Sequence, residues 1–278
     1  MSVLFLADFF SDQINGGGES NDAVLIADLR SRGVTVDLMH CRNVTSSILD
    51  TADTVIVSNF VTLTAANKKY IRENCDYIIY EHDHKYVSTR DPSKFIDFTA
   101  PSTYIVNKEF YCAARSVVVL SEICKTVMEK NLGNTNVHSI GSSLWSAKKF
   151  AFLRECNKEK TNTVAVVDST NPTKGRGPAI NFCYNKRIEF DLIASADPYE
   201  FLQILCKYET LVFIPQVLET FCRLVAEAKM LECKVYTNAK LIGMMSEPFA
   251  DQSGLELIET LETQVDNALT YFHELVTK

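Results

Sequence analysis

The sequence has no apolar run that approaches the roughly 20 residues of a transmembrane helix. The opening segment, Met1–Asp8, has no basic flank, and its apolar stretch is far too short for a signal peptide. The nine cysteines include no Cys-x-x-Cys pair and are odd in number, which disfavours a disulfide framework and a zinc knuckle. These absences predict a cytoplasmic protein with reduced thiols and no membrane span.

The chain also lacks low-complexity tracts, short repeats and blocks of one charge sign. Its net charge of -7 is spread evenly, so neither half offers the positive field that drives non-specific nucleic-acid binding. A local basic patch remains open, and its candidate members are Lys85, Arg90, Lys94 and Lys108. With 278 residues, 46% of them apolar, the chain has the composition of a globular protein and the length for two domains.

What the chain does contain is a regular alternation of β-rich runs and helical patterns. Strands are predicted at Val3–Ala7, Val34–Leu38, Thr54–Val57, Tyr77–Tyr80, Ser116–Leu120, Val137–Ile140, Thr163–Val167, Ile188–Leu192, Thr210–Phe213 and Lys234–Thr237. Helices are predicted at Ser20–Arg32 with a stop at Gly33, and at Thr64–Asn74, Glu122–Leu132, Pro178–Asn185, Pro198–Tyr208, Phe221–Leu231 and Leu255–Lys278.

Strands separated by helices imply right-handed crossovers and a parallel sheet covered on both faces. Over residues 141–160 the alternation lapses into a polar, lysine-rich stretch and then resumes. The pattern therefore predicts an α/β protein with two Rossmann-like domains, residues 1–145 and 146–278, that face each other across a ligand-binding cleft. The last helix can pack back on the first domain.

Three consecutive glycines, Gly16, Gly17 and Gly18, stand between the first predicted strand and its helix. Glycines let the backbone approach a ligand closely, and a helix start offers free N–H groups. The run lacks the Gly-x-Gly-x-x-Gly fingerprint, which disfavours dinucleotide binding. A ligand-facing loop is favoured over a plain flexible turn.

A polar run, Tyr80-Glu-His-Asp-His-Lys85, follows the fourth predicted strand. The carboxyl end of a parallel strand is a common place for active-site residues. On an extended segment His82 and His84 would face the same way. Nothing nearby supplies the further ligands of a metal site, so a substrate or catalytic contact is favoured over a metal site or a solvated loop.

Two motifs stand in the second half of the chain. Lys174, Gly175 and Arg176 follow its first strand, where a lysine and bare backbone N–H groups can bind a diphosphate; a solvated turn explains them equally well. Glu219, followed by Thr220 and Phe221, stands eight residues before Glu227. If Glu219 lies at a helix entrance and Glu227 two turns in, both carboxylates reach the mouth of the sheet and can accept hydrogen bonds from sugar hydroxyls. An ordinary amphipathic helix shows this spacing as well.

Together these motifs resemble the retaining GT-B glycosyltransferases with a Glu-x7-Glu motif, over nearly the whole chain. The resemblance implies that the glycine loop lies by the donor phosphates and that His82 or His84 faces the donor sugar. It further implies that Lys174 binds the diphosphate, that Glu219 lies by the sugar and that Glu227 lies by the ribose. The donor-binding residues implied in this way are Gly16, Gly17, Gly18, Lys174, Gly175, Arg176, Glu219, Thr220, Phe221 and Glu227, and the catalytic ones are His82, His84, Lys174 and Glu219.

Two positions depart from that pattern. Asp168 stands where the family has an arginine six residues before the lysine, so Arg176 or Arg223 would have to supply the second cation. Cys222 stands where a glycine is expected three residues after the first glutamate. Because of both departures, a module that binds sugar nucleotides without catalysing transfer remains an alternative.

The expected function is transfer of a sugar from a nucleoside-diphosphate sugar, with a UDP-sugar as the expected donor and no metal or other cofactor. Tyr80–Lys85 and Leu144-Trp145 also resemble small glycosyltransferases of tailed phages, some of which modify hydroxylated pyrimidines in phage DNA. Hydroxylated-base DNA is therefore slightly favoured as the acceptor over a glycan or a small molecule, and the host cytoplasm is then the compartment. A sugar-nucleotide epimerase or dehydrogenase is disfavoured by the missing dinucleotide fingerprint. The oligomeric state is not indicated.

Overall fold

The computed structural model describes residues 1–133, 136–156 and 159–278, which form two compact units. Unit 1 consists of residues 1–145 together with 264–278, and unit 2 of residues 146–263. Residues 157 and 158, in the stretch expected to be a polar linker, lie outside the described residues. Within the described ranges, no helix has both the length and the apolar character needed to cross a membrane.

Unit 1 is built on a six-stranded parallel sheet with the strand order β2-β1-β3-β4-β5-β6. Its four inner strands are almost wholly buried, as expected when helices cover both faces of a parallel sheet. Its elements are β1 (Ser2–Ala7), α1 (Gly17–Ser31), β2 (Thr35–His40), α2 (Ser46–Leu49), β3 (Thr54–Val57), α3 (Ala65–Asn74), β4 (Tyr77–Tyr80), α4 (Lys108–Ala113), β5 (Ser116–Val119), α5 (Glu122–Leu132) and β6 (Val137–Ser139).

Helix α1 ends as the sequence predicts. Gly33 has a φ of +84°, and its N–H donates to the carbonyl of Arg30 at 3.1 Å, while the N–H of Val34 donates to Leu29 at 3.0 Å. A residue in the left-handed region just beyond a helix closes the last carbonyls in this way, and glycine adopts that conformation without strain. The predicted stop at Gly33 is confirmed.

The segment between β4 and α4, residues 81–107, has no regular helix or strand beyond short 3-10 turns. Five of its residues have positive φ although none is a glycine: His84, Arg90, Asp97, Phe98 and Asn107. Such a backbone is costly for side chains with a Cβ and persists only where surrounding contacts fix it.

Unit 2 is built on a four-stranded parallel sheet with the strand order β10-β9-β7-β8. One buried cluster of its core consists of Val166, Ala179, Cys183 and Val212, which joins two strands to a helix. Its elements are α6 (Ala147–Glu155), β7 (Thr161–Val167), α7 (Arg176–Lys186), β8 (Phe190–Ile193), α8 (Pro198–Leu205), β9 (Tyr208–Val212), α9 (Arg223–Met230) and β10 (Lys234–Tyr236).

Helix α6 occupies much of the stretch where the sequence predicts only a polar lapse, and that expectation is wrong. The Ser146 hydroxyl caps the helix by accepting from the N–H of Lys149, and Phe150 and Leu153 are buried. The sequence does not show the apolar face of α6 clearly, because Lys149 occupies one of the buried positions of that face.

Helix α10 (Gly254–Thr277) contains residues of both units. Its second half belongs to unit 1, where Phe272 is wholly buried and meets the ring of Tyr80 edge-on, with the ring centroids 4.8 Å apart. The ring of Tyr271 stacks on His138 at 3.9 Å. Unit 1 is therefore completed by a segment that is distant in sequence.

Candidate functional site

In each unit one group of candidate residues, the glycine loop in unit 1 and Lys174–Arg176 in unit 2, follows the strand where the order of the sheet reverses. In unit 2, β7 lies between β8 and β9, so the chain leaves β7 toward one side and returns on the other. In unit 1, β1 lies between β2 and β3 in the same way. Ligands of open α/β sheets bind beyond the carboxyl ends of the strands at such a point.

The turn that carries Lys174 is fixed against the loop after β9. Gly175 has a φ of +68°, and a Cβ built on it would lie 1.6 Å from the carbonyl oxygen of Ile214, so only glycine fits. The N–H of Gln216 donates to the carbonyl of Thr173 at 2.8 Å. These contacts fix the position of the Lys174 turn relative to the loop after β9.

Lys174 pairs with Glu219, which lies in the loop after β9, with 2.9 Å between Nζ and Oε1. The lysine side chain keeps 41% of its surface exposed and the glutamate side chain 14%. Burial lowers the pKa of Lys174, but the Glu219 carboxylate outweighs burial, so the pKa is raised overall. The sequence placed these two residues 45 positions apart with no sign that they pair.

Glu219 itself lies in a loop that is held like a short strand. Its N–H donates to the carbonyl of Leu241 and its carbonyl accepts from the N–H of Gly243, each at 2.9 Å, around a parallel bridge to Ile242. Helix α9 starts only at Arg223 because Cys222, with a φ of +74°, breaks the helical path. The expectation that Glu219 lies at the helix entrance is therefore wrong by one turn, whereas Glu227 does lie in the second turn.

Glu227 shares its surroundings with the first pair. Its Oε1 lies 3.7 Å from Nη2 of Arg223, and its side chain is 13% exposed. Cys222, buried at the start of α9, is acted on by Glu219, Lys174 and Glu227 together; burial first, and then the carboxylate of Glu219, raise the pKa of its thiol. Hence the charges of the two glutamates and the lysine all act on this one buried thiol.

The structure pairs both arginines that could replace the missing cation with carboxylates. Nε of Arg176 lies 2.5 Å from Oδ1 of Asp168, the residue that departs from the family pattern, and Arg223 faces Glu227. Phe221, counted among the donor-binding residues, is buried at 1% exposure. Thr220 beside it is partly buried.

In unit 1 the three glycines lie at the start of α1, which begins at Gly17, three residues earlier than predicted, with Gly16 as its N-cap. A Cβ on Gly18 would lie 3.4 Å from Cγ of His82. The ring of His82 therefore lies beside the first turn of α1, at a distance that a Cβ at position 18 would tolerate. The glycine loop and His82, separated by more than 60 residues, meet here.

His82 is held by two further buried residues. Its Nε2 lies 3.0 Å from Oδ1 of Asp22 in α1, and Asp22 also accepts from the hydroxyl of Ser58, just after β3, at 2.7 and 2.8 Å. A carboxylate accepts hydrogen bonds, so this contact assigns the imidazole proton to Nε2. Asp22 and Ser58 were missed by the sequence reading, although Asn21 and Asp22 interrupt the buried face that Leu25 continues, which is the signal that could have found them.

His84 does not share this position, and the expectation that both imidazoles face the same way is wrong. The backbone at His84 has a φ of +59°, so the segment is not extended. Its ring is 2% exposed, with Nδ1 3.1 Å from the hydroxyl of Tyr86 and Nε2 4.0 Å from Sγ of Cys124. His84 therefore lies in the interior.

Lys85 is buried as well, so it is no part of a basic surface patch. Its Nζ donates to Oε1 of Glu81 at 2.8 Å and to Oδ1 of Asp83 at 2.7 Å, and Arg90 pairs with Asp83. Burial raises the pKa of Glu81, but the Lys85 ammonium more than offsets it and holds that pKa below its ordinary value. Tyr111 donates a hydrogen bond to the same carboxylate.

In residues 1–133, 136–156 and 159–278, no group of three or more histidine, cysteine, aspartate or glutamate side chains is arranged to hold a metal ion. The cysteines of the described chain are all free thiols.

Comparison with solved structures shows the fold. HepE from Anabaena, in complex with UDP and glucose, is 15% identical with a TM-score of 0.55, covering 99% of this chain and 92% of its own. Sucrose-phosphate synthase from Thermosynechococcus elongatus is 9% identical with a TM-score of 0.64, covering 99% and 98%. The catalytic domain of starch synthase IV from Arabidopsis thaliana, bound to ADP and acarbose, is 10% identical with a TM-score of 0.54, covering 99% and 94%.

No family model and no curated protein matches the sequence. The structural neighbours are GT-B glycosyltransferases, and the two parallel-sheet units of this chain have the GT-B fold. The predicted fold class is confirmed at that level. Because identity is so low, this similarity concerns the fold and not the activity.

Proposed function

We propose that the protein is a glycosyltransferase that moves a sugar from a nucleoside-diphosphate sugar, with a UDP-sugar as the expected donor, to a hydroxyl acceptor. The observation that carries this proposal is the Lys174–Glu219 ion pair at the switch point of the unit 2 sheet, with Glu227 acting electrostatically on the same buried Cys222. A cation beside two carboxylates suits a ligand that has both a diphosphate and hydroxyl groups.

The charge that develops on the leaving group accounts for a lysine at position 174. When the bond between the anomeric carbon and the diphosphate breaks, negative charge develops on the phosphate oxygens. In this proposal the Lys174 ammonium turns from Glu219 to the diphosphate and stabilises that charge, together with N–H groups at the start of α7. Glu219 is then released to accept hydrogen bonds from the sugar, and Glu227 from the ribose.

For unit 1 we keep the roles that the family resemblance implies: the glycine loop lies by the phosphates, and a histidine faces the sugar. Of the two candidate histidines the proposal takes His82, since its ring lies beside Gly18, whereas His84 is enclosed in the interior. Asp22 is its positioning residue. Retention of the anomeric configuration is also taken from the resemblance.

The acceptor is proposed as a hydroxylated pyrimidine in DNA, with a glycan or small molecule as the alternative. The DNA proposal rests on the phage resemblance of Tyr80–Lys85 and Leu144-Trp145. The ion pairs of Lys85 and Arg90 weaken it, because they remove two of the four cations that could have formed a basic patch.

Transfer can be tested by incubating the protein with UDP-, GDP- and ADP-sugars and either hydroxymethylcytosine-containing DNA or a glycan panel. Mass spectrometry of the nucleosides and glycans would identify the product, and proton NMR its anomeric configuration. We expect Lys174→Ala and Glu227→Gln to abolish turnover, and Lys186→Ala, a change at an exposed lysine of α7, to leave it unchanged. Full activity in the first two variants would refute the donor site, and binding without transfer would favour the non-catalytic module.

A further inference from the structure

Lys149, on helix α6 of unit 2, is a mostly buried lysine whose ammonium has no hydrogen-bonding partner among the described residues. The residue is only 7% exposed. In the described part of the chain, its Nζ makes no hydrogen bond and no ion pair within 4 Å, and its close contact is the face of the Tyr199 ring, 4.1 Å from the ring centroid. A cation–π contact leaves the N–H donors of the ammonium without an acceptor, so a ligand can supply one.

The surroundings of Lys149 connect it to one end of the candidate site. The charged groups that act on it most strongly are Glu227, Arg223 and Asp197, and burial is the main reason that the pKa of Lys149 is lowered. The corresponding groups around Lys174 are Glu219 and the Cys222 thiol. Lys149 is therefore linked electrostatically to Glu227, whereas Lys174 is linked to Glu219.

The sheet topology places Tyr199, the contact of Lys149, at the edge of the sheet where the candidate site lies. Tyr199 lies in the first turn of α8, directly after the loop 194–197 that leaves β8. Because β8 pairs with β7 in parallel, this loop emerges at the same edge of the sheet as the turn that carries Lys174. Tyr199 is half-buried, with Phe152 of α6 against it edge-on at 4.8 Å.

We propose that Lys149 binds the nucleoside of the sugar nucleotide and donates a hydrogen bond to a carbonyl oxygen of its base. This inference rests on the proposed function and specifies its donor. The ammonium has three donors and no acceptor, so its partner must be an acceptor. Uracil offers two carbonyl oxygens and guanine one, whereas adenine offers none. Lys149 is thus a specificity-determining residue that favours UDP over ADP.

The test compares Lys149→Met with Lys148→Met by isothermal titration of UDP, GDP and ADP. Lys148 is a matched control because it is the adjacent lysine, is exposed, and lies near the same Tyr199 ring at 5.7 Å. We expect Lys149→Met to weaken UDP binding about tenfold or more and ADP binding much less. Lys148→Met should leave all three affinities unchanged.

Thermal unfolding without ligand separates a ligand-binding lysine from a structural one. Replacing a mostly buried lysine that makes no hydrogen bond by an apolar side chain of similar length should leave the melting temperature unchanged or raise it by up to about 2–4 °C. The inference would be overturned if Lys149→Met had a lower melting temperature, an unchanged affinity for UDP, or an equal loss of affinity for all three nucleotides. It would also be overturned if the wild-type protein bound ADP more tightly than UDP. If the wild-type protein binds no nucleoside diphosphate, the proposed function fails with it; if it binds UDP and only the variant comparison fails, the proposed function stands.

Discussion

At the scale of single residues, the candidate donor site depends on two positions, Gly175 and Cys222, whose backbone conformation suits glycine. Gly175 and Ile214 are the sharpest case, because the backbone carbonyl occupies the place of a Cβ. Cys222 is the opposite case, since a residue with a side chain holds a left-handed backbone that suits glycine. The two positions flank Lys174 and Glu219, so backbone geometry decides whether this ion pair forms.

Gly175→Ala should separate the Lys174 turn from the loop after β9. The positive φ and the overlap with the Ile214 carbonyl together should cost about 3 kcal/mol or more. We expect the free energy of unfolding in urea to fall by that amount, and binding of UDP, measured by titration, to be lost.

The control for this change is Gly177→Ala, two residues along the chain. A Cβ at Gly177 meets nothing within 4 Å, and the residue lies in the first turn of α7. Unfolding free energy should stay the same or rise by up to about 1 kcal/mol. Equal effects of the two changes would contradict the packing account of Gly175.

At the scale of elements, the strands and long helices could be predicted because each carries its own pattern. The inner strands of unit 1 read as continuous apolar runs, and α1 has a glycine stop. Helix α6 and the segment 81–107 could not be predicted in the same way. Helix α6 buries a lysine, and the left-handed residues of the segment are not glycines, so no local signal marks them.

The candidate site also has features that could be predicted from the sequence and features that could not. The residue types of Lys174, Glu219 and Glu227 suggest chemistry, and their positions after strands could be predicted from the alternation. Their partners could not, because the Lys174–Glu219 and Asp22–His82 contacts join segments that only the sheet topology brings together. The relation between His82 and His84 failed for a third reason, which is the single left-handed residue at His84.

Asp22→Asn should test whether α1 positions the His82 ring. Asparagine keeps the size of the side chain but can present an amide nitrogen to Nε2, so the tautomer and orientation of the ring change. We expect turnover to fall about 100-fold, as for a small misplacement of a reacting group, with little change in KM. The nitrogen-15 chemical shifts of His82 should report the altered tautomer.

Asp28→Asn is the matched change on the same helix. Asp28 is partly exposed and pairs with Arg32 of the same helix end at 2.8 Å, an i,i+4 contact that contributes only a few tenths of a kcal/mol. Turnover and the His82 resonances should be unaffected. If Asp22→Asn also left both readouts unaltered, Asp22 would have no positioning role.

At the scale of the whole molecule, unit 1 depends on residues 264–278, which the chain reaches only after unit 2. Phe272→Ala removes a wholly buried ring that packs under Tyr80, immediately before Glu81 and His82. We expect a loss of about 3–5 kcal/mol in unfolding free energy. Trp145, the single tryptophan, lies buried in unit 1, so its fluorescence reports this unit during urea unfolding.

Leu255→Ala serves as the control, because Leu255 is in the same helix but 53% exposed. Its unfolding midpoint by Trp145 fluorescence should match the wild type within about 0.5 kcal/mol. If the Phe272 variant unfolded at the wild-type urea concentration, the second half of α10 would not be a structural part of unit 1.

The division of α10 between the units has a consequence for how the protein is made. A ribosome delivers the chain in sequence order, so residues 1–145 emerge first but stay incomplete until residues 264–278 have been translated. During that interval the apolar surface that Phe272 later covers, around Tyr80, remains open to chaperones and to other nascent chains. The unit that is begun first is finished last, and its maturation is coupled to the synthesis of the whole of unit 2.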